Sequence, residues 1–410
     1  MQKNKRPIST VSTARSESSS EHEDGLAHRL AMLAADLAAR EDRVANREEL
    51  DTAEAECVRV IRKCLHQKKD DVLHEALDYA LDEDVDAYRL LKERIEDAAE
   101  NVVFRREDGP ELEVNAFVVP LFARTLGGLR ADQCFQDEEA FDLLRESFLQ
   151  AQLESPDAKL VLVSHAYHPD ELGRIGYSQV QAMVREAYEA MTRKKAPAAP
   201  AIGQSMSGWP ESHFGPEDVA VELRYLLGFT LKRMDDRFYQ VPKNEAAADA
   251  YFEKRAARFR QWATDIVPVV KRCLVTDGRE IDLDFLYQDL FHGGKERGIA
   301  EYETLQWMAD LHHELEAHGT DPESVCAVVG PADVEGETVL RVNLHAATGG
   351  ALISSSDRPL ALAGDLASEM DDACDALMSM GLKSLDVAKR FDAEGNPVDV
   401  RARHGQQGNR

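Results

Sequence analysis

The sequence predicts an α/β or α+β fold with a helical N-terminal module, and three observations carry that expectation. From Leu26 to about residue 101 apolar residues recur at helical spacing. Beyond residue 102, short β-branched and aromatic runs alternate with amphipathic stretches, the pattern of strands layered with helices. The 410-residue chain also exceeds the usual size of one domain, so more than one core is expected.

The N-terminal residues, MQKNKRPISTVSTARSESSSEHEDG, are charged and rich in Ser. Residues 1–24 are therefore expected to be a disordered tail, and they lack the apolar centre of a secretory signal. The stripe Leu26, Leu30, Leu33, Leu37 opens a helical module over 25–101. Its later helices read as AEAECVRVIRKCLHQ, DDVLHEALDYAL and DVDAYRLLKERIEDAAENV, each with a carboxylate near its start. A first α/β half spans 102–192: strands VVFRREDG and ELEVNAFVVPLFA around Asp108-Gly109-Pro110, a helix over 137–153, then the strand in AKLVLVSHAYHPDEL and a further helix. Residues 193–216 are rich in Pro, Gly, Ser and Ala and read as the main linker, with Trp209 and Phe214 as its large aromatics. A second α/β half spans 217–402, before a flexible tail over 403–410. It holds a strand in VAVELRYLLGFTLKR, a long helix, strands in IDLDFLYQDLF, SVCAVVG and ETVLRVNLHAA, a helix entered through Ser356, Asp357 and Pro359, and a closing hairpin around Gly395-Asn396-Pro397.

The two halves suggest an internal duplication. NAFVVPLFARTLGG, a helix and KLVLVSHAYHPDEL correspond to LDFLYQDLFHGGKERG, a helix and SVCAVVGPADVEG. Strand, helix, strand in that order favours a right-handed crossover. Together NAFVVPLFAR and KLVLVSHAYHPDELGRIGYSQVQAMVREA, within residues 115–190, resemble an uncharacterised proteobacterial family known as a domain of unknown function. The resemblance implies a bacterial cytoplasmic protein and carries over no site residues.

Composition narrows the function. A net charge of −27 opposes the phosphate backbone as a main partner, so nucleic acid binding is not expected. No window supplies the roughly 20 apolar residues of a membrane span, so no membrane partner is expected and the location is cytoplasmic. Six scattered cysteines suggest neither a zinc module nor a disulfide framework.

Four motifs invite chemistry. DLHHELEAHG resembles a zinc-protease helix, but His313 and His318 are five residues apart, about 140° around the helix, so no metal is expected there. SHAYHPDEL groups His165, His168 and Asp170 after a strand, where α/β folds bind ligands; capping of a helix at Pro169 is the simpler account. The glycine turns TLGGLR and FHGGKERG, the second with His292 and Lys295, hold the elements of an anion cradle without the spacing of a phosphate loop, and a tight strand-to-helix turn is the favoured account of their glycines. The expected function is binding of a protein partner or small ligand without catalysis, cofactor unknown. The alternative is an enzyme or small-anion sensor with its site in strand-end loops around His165, His168, His292 and Lys295; the candidate ligand-binding residues are these four and Asp170.

Overall fold

The computed structural model describes residues 13–41, 47–105, 109–125, 129, 133–193, 221–286, 290–362 and 364–402. The chain forms two compact units, Met1–Ile299 and Ala300–Arg410.

The first unit begins with helices α1 (Thr13–Glu41), α2 (Arg47–His66), α3 (Asp70–Glu83) and α4 (Val85–Glu100). Their apolar stripes meet in one core: Leu30, Ala34 and Leu37 from α1, Ile61 and Leu65 from α2, Leu73 and Ala76 from α3, Leu91 and Ile95 from α4. The helical N-terminal module is thus present. Glu23 and Asp24 belong to its first helix, Glu23 pairing with Lys69 at 3.0 Å and Asp24 accepting from the Tyr79 hydroxyl at 2.6 Å. The expected tail beyond them falls partly in helix, since α1 starts at Thr13; residues 1–12 lie outside the described residues.

Next come β1 (Asn101–Phe104), β2 (Leu112–Arg124), α5 (Glu138–Gln150), β3 (Lys159–Tyr167), the short α6 (Pro169–Gly173), α7 (Tyr177–Thr192), β4 (Val221–Arg233), α8 (Glu245–Cys273) and β5 (Asp282–Phe285). The five strands make one sheet in the order β1-β2-β4-β3, with β5 added to the far end of β2. Every pairing is antiparallel. One side-chain row of β2, Phe117, Val119, Leu121 and Ala123, packs with α5 and α8 residues such as Phe148, Trp262 and Ile266. The other row, Val114, Ala116 and Val118, is equally buried, and burial on both faces is why this strand reads as an unbroken apolar run.

This topology corrects the division expected at 193–216. β4 follows that segment in sequence yet lies between β2 and β3, so strands from both sides of it build one sheet. The units part instead at 299/300, inside the helix α9 (Phe291–Ala317). The α3 residue Asp70 also reaches the α/β layers. Its carboxylate accepts from the Ser178 N–H at 3.1 Å and Oγ at 2.9 Å, which caps α7.

The second unit contains the remainder of α9, then β6 (Val325–Val334), β7 (Glu337–Ala346), β8 (Leu352–Pro359), α10 (Leu366–Ser379) and β9 (Ser384–Val387), with the short β10 (Arg390–Phe391), β11 (Pro397–Val398) and β12 (Arg401–Ala402). Its main sheet runs β12-β9-β6-β7-β8, with β6 and β9 parallel. Trp307, Leu311 and Leu315 of α9 pack on Val329, Val342 and Leu344 and against Leu377 of α10. Glu335 and Gly336, with φ of 54° and 90°, make the β6–β7 turn, whose two left-handed residues suit a tight hairpin.

Three expectations change here. The duplication is not reproduced: β2 and β3 share a sheet, whereas their supposed counterparts β5 and β6 belong to different sheets. The segment GPADV is strand and not loop. Helix α10 is capped by Asp365, which accepts from Ser368 N–H at 2.9 Å, while Asp357 lies in β8 and holds Arg341 through two contacts of 2.6 Å.

Candidate functional site

The residues singled out in the sequence fall into two clusters within the first unit. The first is at the end of β3. Pairing between β3 and β4 shifts after Leu162 and resumes at Ala166, and opposite this irregularity Cys134 forms an antiparallel bridge with His165. The flanking backbone bonds, Phe135 N–H to Ser164 O at 2.9 Å and Ala166 N–H to Gln133 O at 3.2 Å, make Cys134 and His165 a non-hydrogen-bonded pair. In such a pair side chains stand close on one face. Cys134 Sγ lies 3.4 Å from His165 Nδ1, and His165 Nε2 lies 3.2 Å from Glu171 Oε2.

His168 caps α6. Its Nδ1 accepts from the Asp170 N–H at 3.2 Å, and the Glu171 carboxylate accepts from the His168 N–H at 2.8 Å, which completes a capping box. Burial, helped by the charge of Arg224, lowers the His168 pKa to about 4, so its ring is neutral at pH 7 as an accepting Nδ1 requires. Burial pushes the Glu171 carboxyl up, but hydrogen bonds from His165 and from the His168 N–H, with the charge of Arg224, hold it below its ordinary value. Arg224 is itself wholly buried. It is bound to Glu222, whose other oxygen accepts from the Leu129 N–H at 2.5 Å. Asp170 points to solvent, 3.7 Å from His168 Nδ1.

The second cluster lies at the start of α9. Phe291 opens the helix, so Gly293 and Gly294 are in its first turn and not in a preceding loop. The N–H groups of this first turn do bind an anion, as a cradle should, but the anion is the protein's own Glu100. This buried carboxylate accepts from Phe291 N–H at 2.9 Å, His292 N–H at 3.0 Å and His292 Nδ1 at 2.6 Å. Burial lowers the Lys295 pKa against the raising influence of Glu296, Glu96 and Glu100. The Lys295 carbonyl accepts from the Tyr225 hydroxyl at 2.7 Å. Gly298 has to be glycine here, since a Cβ would stand 2.7 Å from that hydroxyl oxygen and 3.0 Å from Pro120. The structure therefore brings His165, His168 and Asp170 together, and His292 with Lys295, each set engaged by neighbouring side chains or backbone. The turn TLGGLR has its glycines outside the described residues, as do Trp209 and Phe214.

In DLHHELEAHG, His312 and His313 are exposed on α9, His312 lying 3.3 Å from Glu316, and His318 Nδ1 lies 2.9 Å from the Glu314 carbonyl beyond the helix end. Among the described residues no group of three or more His, Cys, Asp or Glu is placed to hold a metal ion.

Motif reading misses a third feature. A cleft of about 470 Å³ is lined by Arg62 and His66 of α2, Ala98 of α4, Asn101, Val102 and Val103 of β1, Arg105, and Gln181 and Arg185 of α7. Gln181 is buried and fixed by its amide, which donates to Ala98 O at 3.2 Å. Arg105 stands at the rim beside Glu111 at 2.6 Å, and Arg185 approaches the Gln181 carbonyl oxygen at 3.5 Å. The i, i+4 spacing of Arg62 and His66, and of Gln181 and Arg185, puts each pair on one helical face. Only the tertiary fold turns those faces toward one another.

Helices packed on a five-stranded antiparallel sheet, bearing a strand-end polar cluster and a cationic cleft, define the first unit as an α+β domain. The chain belongs to the family described as protein of unknown function (DUF2863), whose profile matches residues 13–294 and so ends close to the boundary between the units. No curated protein and no solved structure matches the chain. Among the described residues no helix is long and apolar enough to cross a membrane.

Proposed function

We propose that the protein binds a small anionic molecule, one bearing phosphate or carboxylate groups, in the cleft of Arg62, His66, Arg105 and Arg185. The observation that carries this reading is that Arg62, His66, Arg105 and Arg185 line one concavity in a chain of net charge −27, with Arg105 beside Glu111. Guanidinium forks match phosphate and carboxylate oxygens two at a time, and the surrounding negative field leaves this cleft as a local attractive site. Its volume suits a metabolite-sized ligand, with Val102, Val103 and Ala98 offering apolar wall and Asn101 and Gln181 neutral polar groups. This is the small-ligand reading of the sequence with its site moved away from His165, His168, His292 and Lys295. A cytoplasmic setting accords with six cysteines outside any disulfide.

The test is thermal unfolding with inorganic phosphate, citrate and ATP, each against chloride of equal ionic strength. Binding raises the melting temperature by mass action, and the rise is expected to vanish in the Arg62→Ala/Arg185→Ala double variant. Equal shifts in wild type and variant, or none beyond chloride, would overturn the assignment.

A further inference from the structure

Helix capping explains His168, Asp170 and one hydrogen bond of Glu171. It does not account for the relation of Cys134 to His165. Here a solvent-exposed sulfur, an imidazole and a carboxylate stand in series: Sγ to Nδ1 at 3.4 Å, and Nε2 to Oε2 at 3.2 Å. Three separate stretches supply them, the segment before α5, the end of β3 and the first turn of α6, and each is fixed by backbone. Cys134 is set by the bridge to His165, His165 by the bonds on either side of it, and Glu171 by the His168 N–H. An ionised carboxylate only accepts, so the proton on the imidazole belongs on Nε2, facing Glu171. That leaves the Nδ1 lone pair directed at the thiol.

We infer that Cys134 is a nucleophile, with His165 as its base and Glu171 as the residue that positions the base, acting on a small ester or thioester of a carboxylic acid. The class follows from what the imidazole can do. Alkylation or oxidation of a sulfur needs only a thiolate, whereas acyl transfer also needs the proton to be stored and returned, which Nδ1 at 3.4 Å can do. In the first step the thiol proton passes to His165 Nδ1 and the sulfur attacks the acyl carbon. As the new S–C bond forms, the bond from carbon to the leaving oxygen or sulfur breaks, and His165 gives its proton to the leaving group. Water then adds to the Cys134 thioester, losing a proton to His165; the C–S bond breaks, the acid leaves, and His165 returns the proton to sulfur. No oxidant or reductant enters. This inference is independent of the anion cleft, and either can fail alone.

Two measurements on the full chain test it. The first is the rate of alkylation of Cys134 by iodoacetamide, followed by peptide mass spectrometry from pH 5 to 9. The groups facing the pair are Glu171 and Tyr167 with His168, and Arg224 acts electrostatically on His168 and Glu171. At pH 6.5 the rate is expected to exceed that of glutathione about tenfold or more, because a neighbouring imidazolium favours thiolate. His165→Asn should bring it down to the glutathione rate. The second is p-nitrophenyl acetate, expected to release a burst of one nitrophenolate per chain and to leave one acetyl group on Cys134, both lost in Cys134→Ser. Glu171→Gln leaves one neutral oxygen for both the cap and His165, so Glu171→Asp is the companion variant, its folding checked by circular dichroism. Slower acetylation in that folded variant, with its pH profile displaced, supports the positioning role. A Cys134 alkylated no faster than glutathione, or one that takes no acetyl group, would overturn the inference.

Discussion

The carboxylate of Glu100, the last residue of α4, sits 2.6 Å from His292 Nδ1 and closes the N-terminus of α9 from inside the protein. Both side chains are almost fully buried, at 2 % and 7 % exposure. The contact joins the helical module to a residue 192 positions further along the chain. Removing Glu100 leaves two backbone N–H groups and an imidazole without their acceptor. Glu100→Ala is therefore expected to lower the unfolding free energy by about 3–5 kcal/mol, and His292→Ala by less, because the carboxylate keeps both backbone donors. Urea unfolding checks this; a loss under about 1 kcal/mol for Glu100→Ala would contradict the account.

Next to that contact, Glu96 gives the protein a pH dependence. Burial raises its pKa to about 7; Lys92 opposes the rise, while Glu296 and Glu100 add to it. Between the ordinary value of 4.5 and about 7 the folded chain holds a proton that the unfolded chain has released. Stability therefore falls as pH rises through that window. Glu96→Gln should flatten the fall and, at pH 8, stabilise the protein by about 1–3 kcal/mol. Melting temperatures of both proteins from pH 5 to 8 decide it, and parallel curves would count against the assignment.

His168 works in the opposite sense. Its folded pKa of about 4 lies below the ordinary 6.5, so its contribution is complete above 6.5 and is lost as pH falls toward 4. Asn caps helices without titrating, so His168→Asn should unfold less readily in acid than wild type while matching it near neutrality within about 1 kcal/mol. Acid unfolding followed by circular dichroism provides the comparison, and an unchanged midpoint would refute this.

Gly228 pairs with both Phe117 of β2 and Leu162 of β3 in the middle of the sheet. A Cβ there would stand 2.7 Å from Leu162 Cδ2 and closer still to Phe117 Cζ. Gly228→Ala should cost about 1–3 kcal/mol by overpacking, and Phe117→Leu in the same chain should recover part of it. Additive losses in the double variant would show that the two positions do not compete for space.

Because β4 lies between β2 and β3, cleavage between 193 and 221 should not separate the pieces. With a protease site inserted after Ala199, the two fragments are expected to co-elute on gel filtration until denaturant is added. Elution as separate folded fragments would restore a boundary there.

Most of the elements were legible in the local residue pattern. The 3.6-residue stripes of α2 to α4, the apolar runs of β2, β4, β6 and β7, and the closing hairpin are local consequences of which side chains must be covered. It also determined that His168 caps a helix ahead of Pro169, since a cap needs only neighbours two and three residues away. What it could not determine was pairing. Composition made 193–216 resemble a division, but two 13-residue apolar strands, β2 and β4, satisfy their backbone groups against each other along their whole length, whatever lies between them in sequence. The glycines of FHGGKERG read as a tight turn with the elements of an anion cradle, and the anion that fills it came from Glu100, far back in the chain. Sites followed the same rule. Cys134 and His165, and the arginines of α2 and α7, are ordinary residues in their own segments, and they acquire chemistry only because the tertiary structure sets them face to face within a few ångströms or across one cleft.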